Sequence, residues 1–193
     1  IRNTDDKKFE GKEIYDICAD FLQDKIKRNK PNFVVLGSGK IAHGIICRLC
    51  DLDCKITCFY RINKPEFNSN KIRILKLPFN EDILSSADAV ICTLANSSNV
   101  INEKHLKHFN SKRNTIIIDM GIPRNVSIEI SSLSQKISLF NIDSLKKVQE
   151  NYESQSRNNR LISALDLIYK HKNLFDKLQR NFINSNTKTT YNP

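Results

Sequence analysis

Apolar residues follow two rhythms along this chain, and the alternation between them outlines an architecture. Ile14, Ile17, Cys18, Phe21, Leu22 and Ile26 recur at spacings of three and four, the stripe of one helical face, which predicts an amphipathic helix over residues 10–28. Pro31 ends it, because proline disfavours helical backbone in the residue before it. Phe33-Val34-Val35-Leu36 is instead a short unbroken apolar run, as expected of a strand buried on both faces of a parallel sheet. Ile41, Ile45, Ile46 and Leu49 restore the helical period to about Leu52, and Lys55 to Tyr60 reads as a second strand.

The alternation continues. Ile72 to Leu77 is a weaker strand, Ala89 to Leu94 a strong one, Asn102 to Phe109 a helical stretch, Thr115 to Asp119 another strand, and Ile137 to Phe140 a last one. Strand and helix in this order predict an α/β fold, a doubly wound, Rossmann-like parallel sheet with right-handed crossovers. From Asp143 the pattern changes: Leu145, Val148, Tyr152, Leu161, Leu165, Ile168, Leu174, Phe175 and Leu178 stripe a polar segment, predicting one long helix over residues 143–183. At ~1.5 Å per residue, the striped stretch from Asp143 to Leu178, about 36 residues, extends roughly 54 Å, too far to be covered by the preceding domain, so a partner chain or a further domain is expected. The expected organisation is a linker helix in residues 1–30, a nucleotide-binding domain in 31–142, the long helix, and a flexible tail in 184–193.

Between the first strand and its helix lies Gly37-Ser38-Gly39-Lys40-Ile41-Ala42, which fits the pattern G-x-G-x-x-G/A. Gly37 allows a tight turn, Gly39 lets backbone approach a pyrophosphate, and Ala42 permits close helix–strand packing. The helix amides then face the anion. The pattern alone is also met in strand-to-helix turns without a ligand. Its place after a buried strand and before a helix and a second strand, within about 30 residues, favours dinucleotide binding. At the end of the second strand, where a carboxylate takes the ribose hydroxyls of NAD, the sequence reads Phe59-Tyr60-Arg61 with Lys64 close by. Arg61 is suited to a 2′-phosphate, which points to NADPH; the alternative is a solvated arginine.

Composition adds less. Hydrophobic residues make up 39% and charged residues 27%, a globular balance. The net charge of +10 is scattered, apart from Lys25-Ile26-Lys27-Arg28-Asn29-Lys30 and Lys170-His171-Lys172, and reads more readily as compositional bias than as a polyanion surface. No apolar run is long enough to span a bilayer and no signal peptide is recognisable, so no membrane partner and a cytoplasmic location are expected. The start at Ile1, without Met, suggests a piece of a longer polypeptide. Cys47, Cys50, Cys54 and Cys58 crowd together, but helix and strand would spread their sulfurs, so no metal site is expected. Cys18 on an apolar helix face and Cys92 in a buried strand lack the exposure a nucleophile needs, and no catalytic residue is assigned. His43, His105 and His108 read as surface histidines. Asp119 ends a strand at the edge where ligands bind, and Arg124 follows Pro123; these residues fit either a ligand site or a rigid turn.

Ile118-Asp119-Met120-Gly121-Ile122-Pro123-Arg124-Asn125, followed by Leu139-Phe140-Asn141-Ile142-Asp143-Ser144-Leu145, strongly resembles the carboxyl-terminal two-thirds of glutamyl-tRNA reductases. That family carries Ile-Asp-x-x-x-Pro-Arg, then Tyr/Phe-x-Ile-Asp-x-Leu, then a long spinal helix. Its phosphate turn commonly reads Gly-Ala-Gly-Lys-Met-Gly, to which residues 37–42 are similar. Its second strand commonly ends in Asn-Arg-Ser/Thr, of which Tyr60-Arg61-Ile62 keeps the arginine. Ala89-Val90-Ile91-Cys92-Thr93-Leu94 likewise resembles the family's strand ending in Ser/Thr, beside the nicotinamide half. The resemblance covers about residues 10–180.

It implies NADPH as cofactor, held by Gly37, Ser38, Gly39, Lys40, Ile41, Ala42, Arg61 and Thr93. It also implies glutamyl-tRNA as the full enzyme's substrate, reduced to glutamate 1-semialdehyde for tetrapyrrole synthesis. A homodimer through the long helix and glutamate-1-semialdehyde aminomutase as a candidate partner follow from the same resemblance. The family's cysteine nucleophile, in a Thr-Cys-Asn-Arg motif, is not found in this sequence. Rival readings are a precorrin-2 dehydrogenase-like protein and a regulatory dinucleotide module; the Pro-Arg segment disfavours the first, and Arg61 in place of a carboxylate the second.

Overall fold

The computed structural model describes residues 12–151 and residues 154, 161 and 163. Helix α1 (Ile14–Lys25) leads to β1 (Asn32–Leu36), α2 (Lys40–Cys50), β2 (Lys55–Tyr60) and β3 (Ile72–Lys76). Then follow β4 (Ala89–Cys92), β5 (Thr115–Asp119), α3 (Glu129–Leu133) and β6 (Ile137–Asn141). All six strands run parallel in one sheet, in the order β3-β2-β1-β4-β5-β6. β1 lies at the centre, with Phe33–Leu36 paired to Ile56–Phe59 on one side and to Ala89–Cys92 on the other. The chain winds outward from β1 in both directions, so the switch point of this doubly wound sheet lies between the carboxyl ends of β1 and β4, where such folds bind ligands in a crevice.

Alternating side chains of each strand enter two separate cores, because successive residues point to opposite faces of a sheet. Phe33, Val35, Ile56, Ile91 and Ile118 pack with Cys18, Phe21 and Leu22 of α1 and Ile45, Ile46 and Leu49 of α2. Val34, Leu36, Phe59, Val90 and Ile117 pack on the other face with Leu84, Ile101, Val126 and Ile130. The second face is covered by short pieces: 3₁₀ turns at Glu81–Ser86 and Glu103–His108, and α3. The helical stretch expected at Asn102 to Phe109 is thus a 3₁₀ turn, closed by a capping box in which the Asn102 side chain accepts from Lys104 N–H while Asn102 N–H donates to His105 Nδ1.

Residues 142–151 are helical and form the start of α4. Leu145 is fully buried in the core beside α1, and Ile142 and Val148 pack against it. The chain divides into two units, Ile1–Gln149 and Glu150–Pro193. Most of the long helix expected over 143–183 lies outside the described residues, as do residues 1–11 and the tail from 184. Among the described residues no helix is long and apolar enough to cross a membrane.

Candidate dinucleotide site

β1 ends at Leu36 because the next residue leaves the strand conformation: Gly37 has φ +127°, a left-handed value that side-chain-bearing residues rarely adopt. A Cβ there would also collide with the Thr93 hydroxyl and come within 3.2 Å of the Thr93 carbonyl. Gly37 is therefore required twice, for the turn and for the approach of β4. Its N–H donates to Phe59 O at 2.8 Å, and Thr93 N–H donates to Leu36 O at 2.8 Å, tying the turn to both neighbouring strands. The Thr93 hydroxyl donates to the same Leu36 carbonyl at 3.2 Å. The Ser38 hydroxyl donates to Asn63 O at 3.2 Å, joining the turn to the loop after β2.

Gly39 is the N-cap of α2, and a Cβ on it would meet nothing within 4 Å, so space is open in front of the helix. Among the helical segments α1, α2, α3 and the two 3₁₀ turns, α2 alone has neither a capping side chain nor an acidic residue in its first turn. Its first amides and the positive end of its dipole are left for an anion. Lys40 is exposed at this mouth, Ile41 is half-buried against the core, and Ala42 is fully buried, as close helix–strand packing requires. These features fit a pyrophosphate.

Arg61 is exposed at the end of β2. Its Nη1 donates to Ser97 Oγ at 3.2 Å and its Nη2 to Ala95 O at 3.3 Å, so it spans from β2 to the turn after β4. Both acceptors are neutral. That turn is held from its other side by Asn125, a residue to which its sequence context alone assigns no role. Asn125 is fully buried; its side chain accepts from Leu94 N–H at 2.9 Å and donates to Leu94 O at 2.9 Å and Ser97 O at 2.6 Å. These bonds replace a continued ladder and explain why β4 stops at Cys92 and not at Leu94.

Of the two readings open for Asp119, its environment selects the rigid turn. The buried carboxylate accepts from Gly121 N–H at 2.9 Å, Asn125 N–H at 3.2 Å and Val126 N–H at 3.1 Å, leaving little for a ligand. Gly121 makes room for Asn125, since a Cβ would collide with the Asn125 amide. Arg124 pairs with Asp143 at 3.6 Å, fastening this loop to the start of α4. His43 is exposed, as expected, and stacks on Phe67 with centroids 4.9 Å apart. His105 and His108 are not surface residues: their side chains are only 12% and 20% exposed, and both face Glu81. Phe79, whose ring stacks on His105, covers that histidine, and His108 is drawn in toward Glu81.

The thiols lie where the hydrophobic pattern places them. Burial pushes Cys18 and Cys92 far above the usual thiol value and Cys54 and Cys58 up to about 11. Cys50 is also raised, chiefly by burial, and Cys47 is exposed. Among the described residues no group of three or more His, Cys, Asp or Glu side chains is placed to hold a metal ion.

A doubly wound parallel sheet with a glycine turn at its switch point and an uncapped helix behind defines the class, a Rossmann-type domain as found in nicotinamide-dependent dehydrogenases. The shikimate / quinate 5-dehydrogenase family model matches residues 20–148, and the chain belongs to that family. Curated relatives bear the name that the sequence resemblance suggests. Glutamyl-tRNA reductase of Pelodictyon phaeoclathratiforme is 33% identical over 106 residues, covering 52% of this chain and 24% of that protein. Glutamyl-tRNA reductase of Thermosipho melanesiensis is 24% identical over 140 residues, covering 70% of this chain and 36% of that protein. The chain thus spans 24–36% of the length of these relatives. The nucleotide-binding domain of glutamyl-tRNA reductase from Thermoplasma volcanium shares the fold with a TM-score of 0.52 at 14% identity, covering 75% of this chain and 96% of that one. A dipicolinate synthase chain from Bacillus halodurans also reaches 0.52 at 14% identity, covering 65% and 43% respectively.

Proposed function

We propose that this chain is the NADPH-binding part of a glutamyl-tRNA reductase, which reduces the glutamyl ester of its tRNA to glutamate 1-semialdehyde in tetrapyrrole synthesis. The observation that carries the cofactor reading is the arrangement at the crevice: an open glycine turn before an uncapped helix, with Arg61 and no carboxylate at the end of β2. The named relatives and the Pro-Arg segment support the reaction. The bound cofactor supplies a hydride. Gly37, Ser38, Gly39, Lys40, Ile41 and Ala42 hold its pyrophosphate against the amides of α2. Arg61 pairs with the 2′-phosphate, and Thr93 lines the nicotinamide half. The nucleophile, the tRNA contacts and a homodimer through the long helix belong to the full protein, as does any contact with glutamate-1-semialdehyde aminomutase.

Titration with NADPH and NADH tests this reading. NADPH should bind more tightly, and Arg61→Ala should narrow the gap by about tenfold, the ~1.4 kcal/mol expected of a partly exposed charge-assisted contact. Equal affinities in the unaltered chain would refute the cofactor choice.

A further inference from the structure

Building on the NADPH reading above, we infer that the turn Leu94–Ser97 orients Arg61 for the 2′-phosphate, and that Ser97 and Asn125 are positioning residues for cofactor discrimination. Arg61 is not a loose arginine. Two of its N–H groups are committed, one to Ser97 Oγ and one to Ala95 O, and both acceptors belong to a segment more than thirty positions away. A guanidinium carries five N–H donors, so three remain for an incoming phosphate. Among the described residues Arg61 makes no ion pair, and its charge is not neutralised by the contacts that orient it.

The turn can orient Arg61 because it is anchored itself. Ser97 gives its carbonyl to the buried Asn125 amide at 2.6 Å while its hydroxyl faces Arg61. Leu94 is bonded to the same amide through both its N–H and its carbonyl. Asn125 is fixed in turn by Asp119, which accepts its backbone N–H. A continuous path of hydrogen bonds therefore runs from the end of β5, through Asn125 and Ser97, to the end of β2. An arginine held this way has already given up rotamer freedom that a solvated one would lose on binding, and preorganisation of that kind favours the phosphate-bearing ligand selectively.

The test compares dissociation constants for NADPH and NADH in the unaltered chain and in Arg61→Ala, Ser97→Ala and Asn125→Ala, with melting temperatures alongside. Ser97→Ala should lower the NADPH preference by roughly threefold, the loss of one exposed hydrogen bond, with NADH affinity unchanged. Asn125→Ala should lower the preference further, and Ser97→Ala should have no effect on it once Arg61 is alanine. If Arg61→Ala loses the preference while Ser97→Ala keeps it in full, this inference is overturned and the NADPH reading stands. A parallel fall in both affinities, tracking a lower melting temperature, would likewise reduce Ser97 and Asn125 to structural residues. No preference in the unaltered chain would overturn both proposals. Should Asn125→Ala fail to fold, the half-exposed Ser97 decides alone.

Discussion

Gly37 joins two requirements at one residue, a left-handed backbone and the absence of a side chain facing Thr93. Gly37→Ala should therefore destabilise the fold by about 2 kcal/mol, the sum of a left-handed penalty of ~1–2 kcal/mol and some displacement of β4. Thermal melting would show it, and an unchanged midpoint would refute both requirements. The glycine pattern makes this residue legible, whereas Asn125 is not: its importance lies in partners brought close only by folding, 28 and 31 positions away. The thiols give a second test at this scale. At pH 8 an alkylating reagent should modify Cys47 first and Cys50 more slowly, with Cys18, Cys54, Cys58 and Cys92 reacting only when the fold opens. Because folding raises these thiols, the native state binds more protons than the unfolded one above about pH 9, where unfolded thiols ionise. Stability should accordingly be intact below that pH and fall as pH rises toward 11. Uniform labelling of all six cysteines in the native protein would be incompatible with this burial.

Helices and strands differ in how far the sequence reveals them. β1, β4 and β5 are plain, because each carries a short unbroken apolar run, Phe33–Leu36, Ala89–Cys92 and Ile116–Ile118. α1 and α2 follow from a clear period of three and four. Glu81–Ser86 and α3 leave no such mark, since one buried residue in each, Leu84 and Ile130, is too few to establish a period. His105 and His108 escape for a related reason: a 3₁₀ turn brings side chains three apart onto one side, here toward Glu81. The opening of α4 also changes where this chain can be cut. Leu145 is fully buried in the core, so a chain ending at residue 143 should lose about 2–5 kcal/mol of stability, while one ending at residue 149 should keep its fold. If the long helix pairs two copies, sedimentation should show self-association in the full chain and none in the chain ending at 149. A full chain monomeric at all concentrations would rule the dimer out.

The whole molecule brings its recognisable chemistry to one edge of the sheet. The phosphate turn after β1, Arg61 after β2, the anchored turn after β4 and the Pro-Arg loop after β5 all lie at carboxyl ends of strands, where doubly wound sheets bind their ligands. Sequence spacing supplies the separate pieces, and the strand order supplies their convergence. A cavity beside the amino-terminal ends of β5 and β6, lined in part by Leu106, Arg113 and Lys136, offers a basic alternative surface. Backbone amide shifts recorded by NMR during titration with NADPH distinguish the two directly. Binding at the crevice should perturb Gly39, Lys40 and Ile41 at the head of α2, together with Arg61 and residues 93–97. Shifts centred on Arg113 and Lys136, or none at millimolar NADPH, would exclude the crevice as the dinucleotide site.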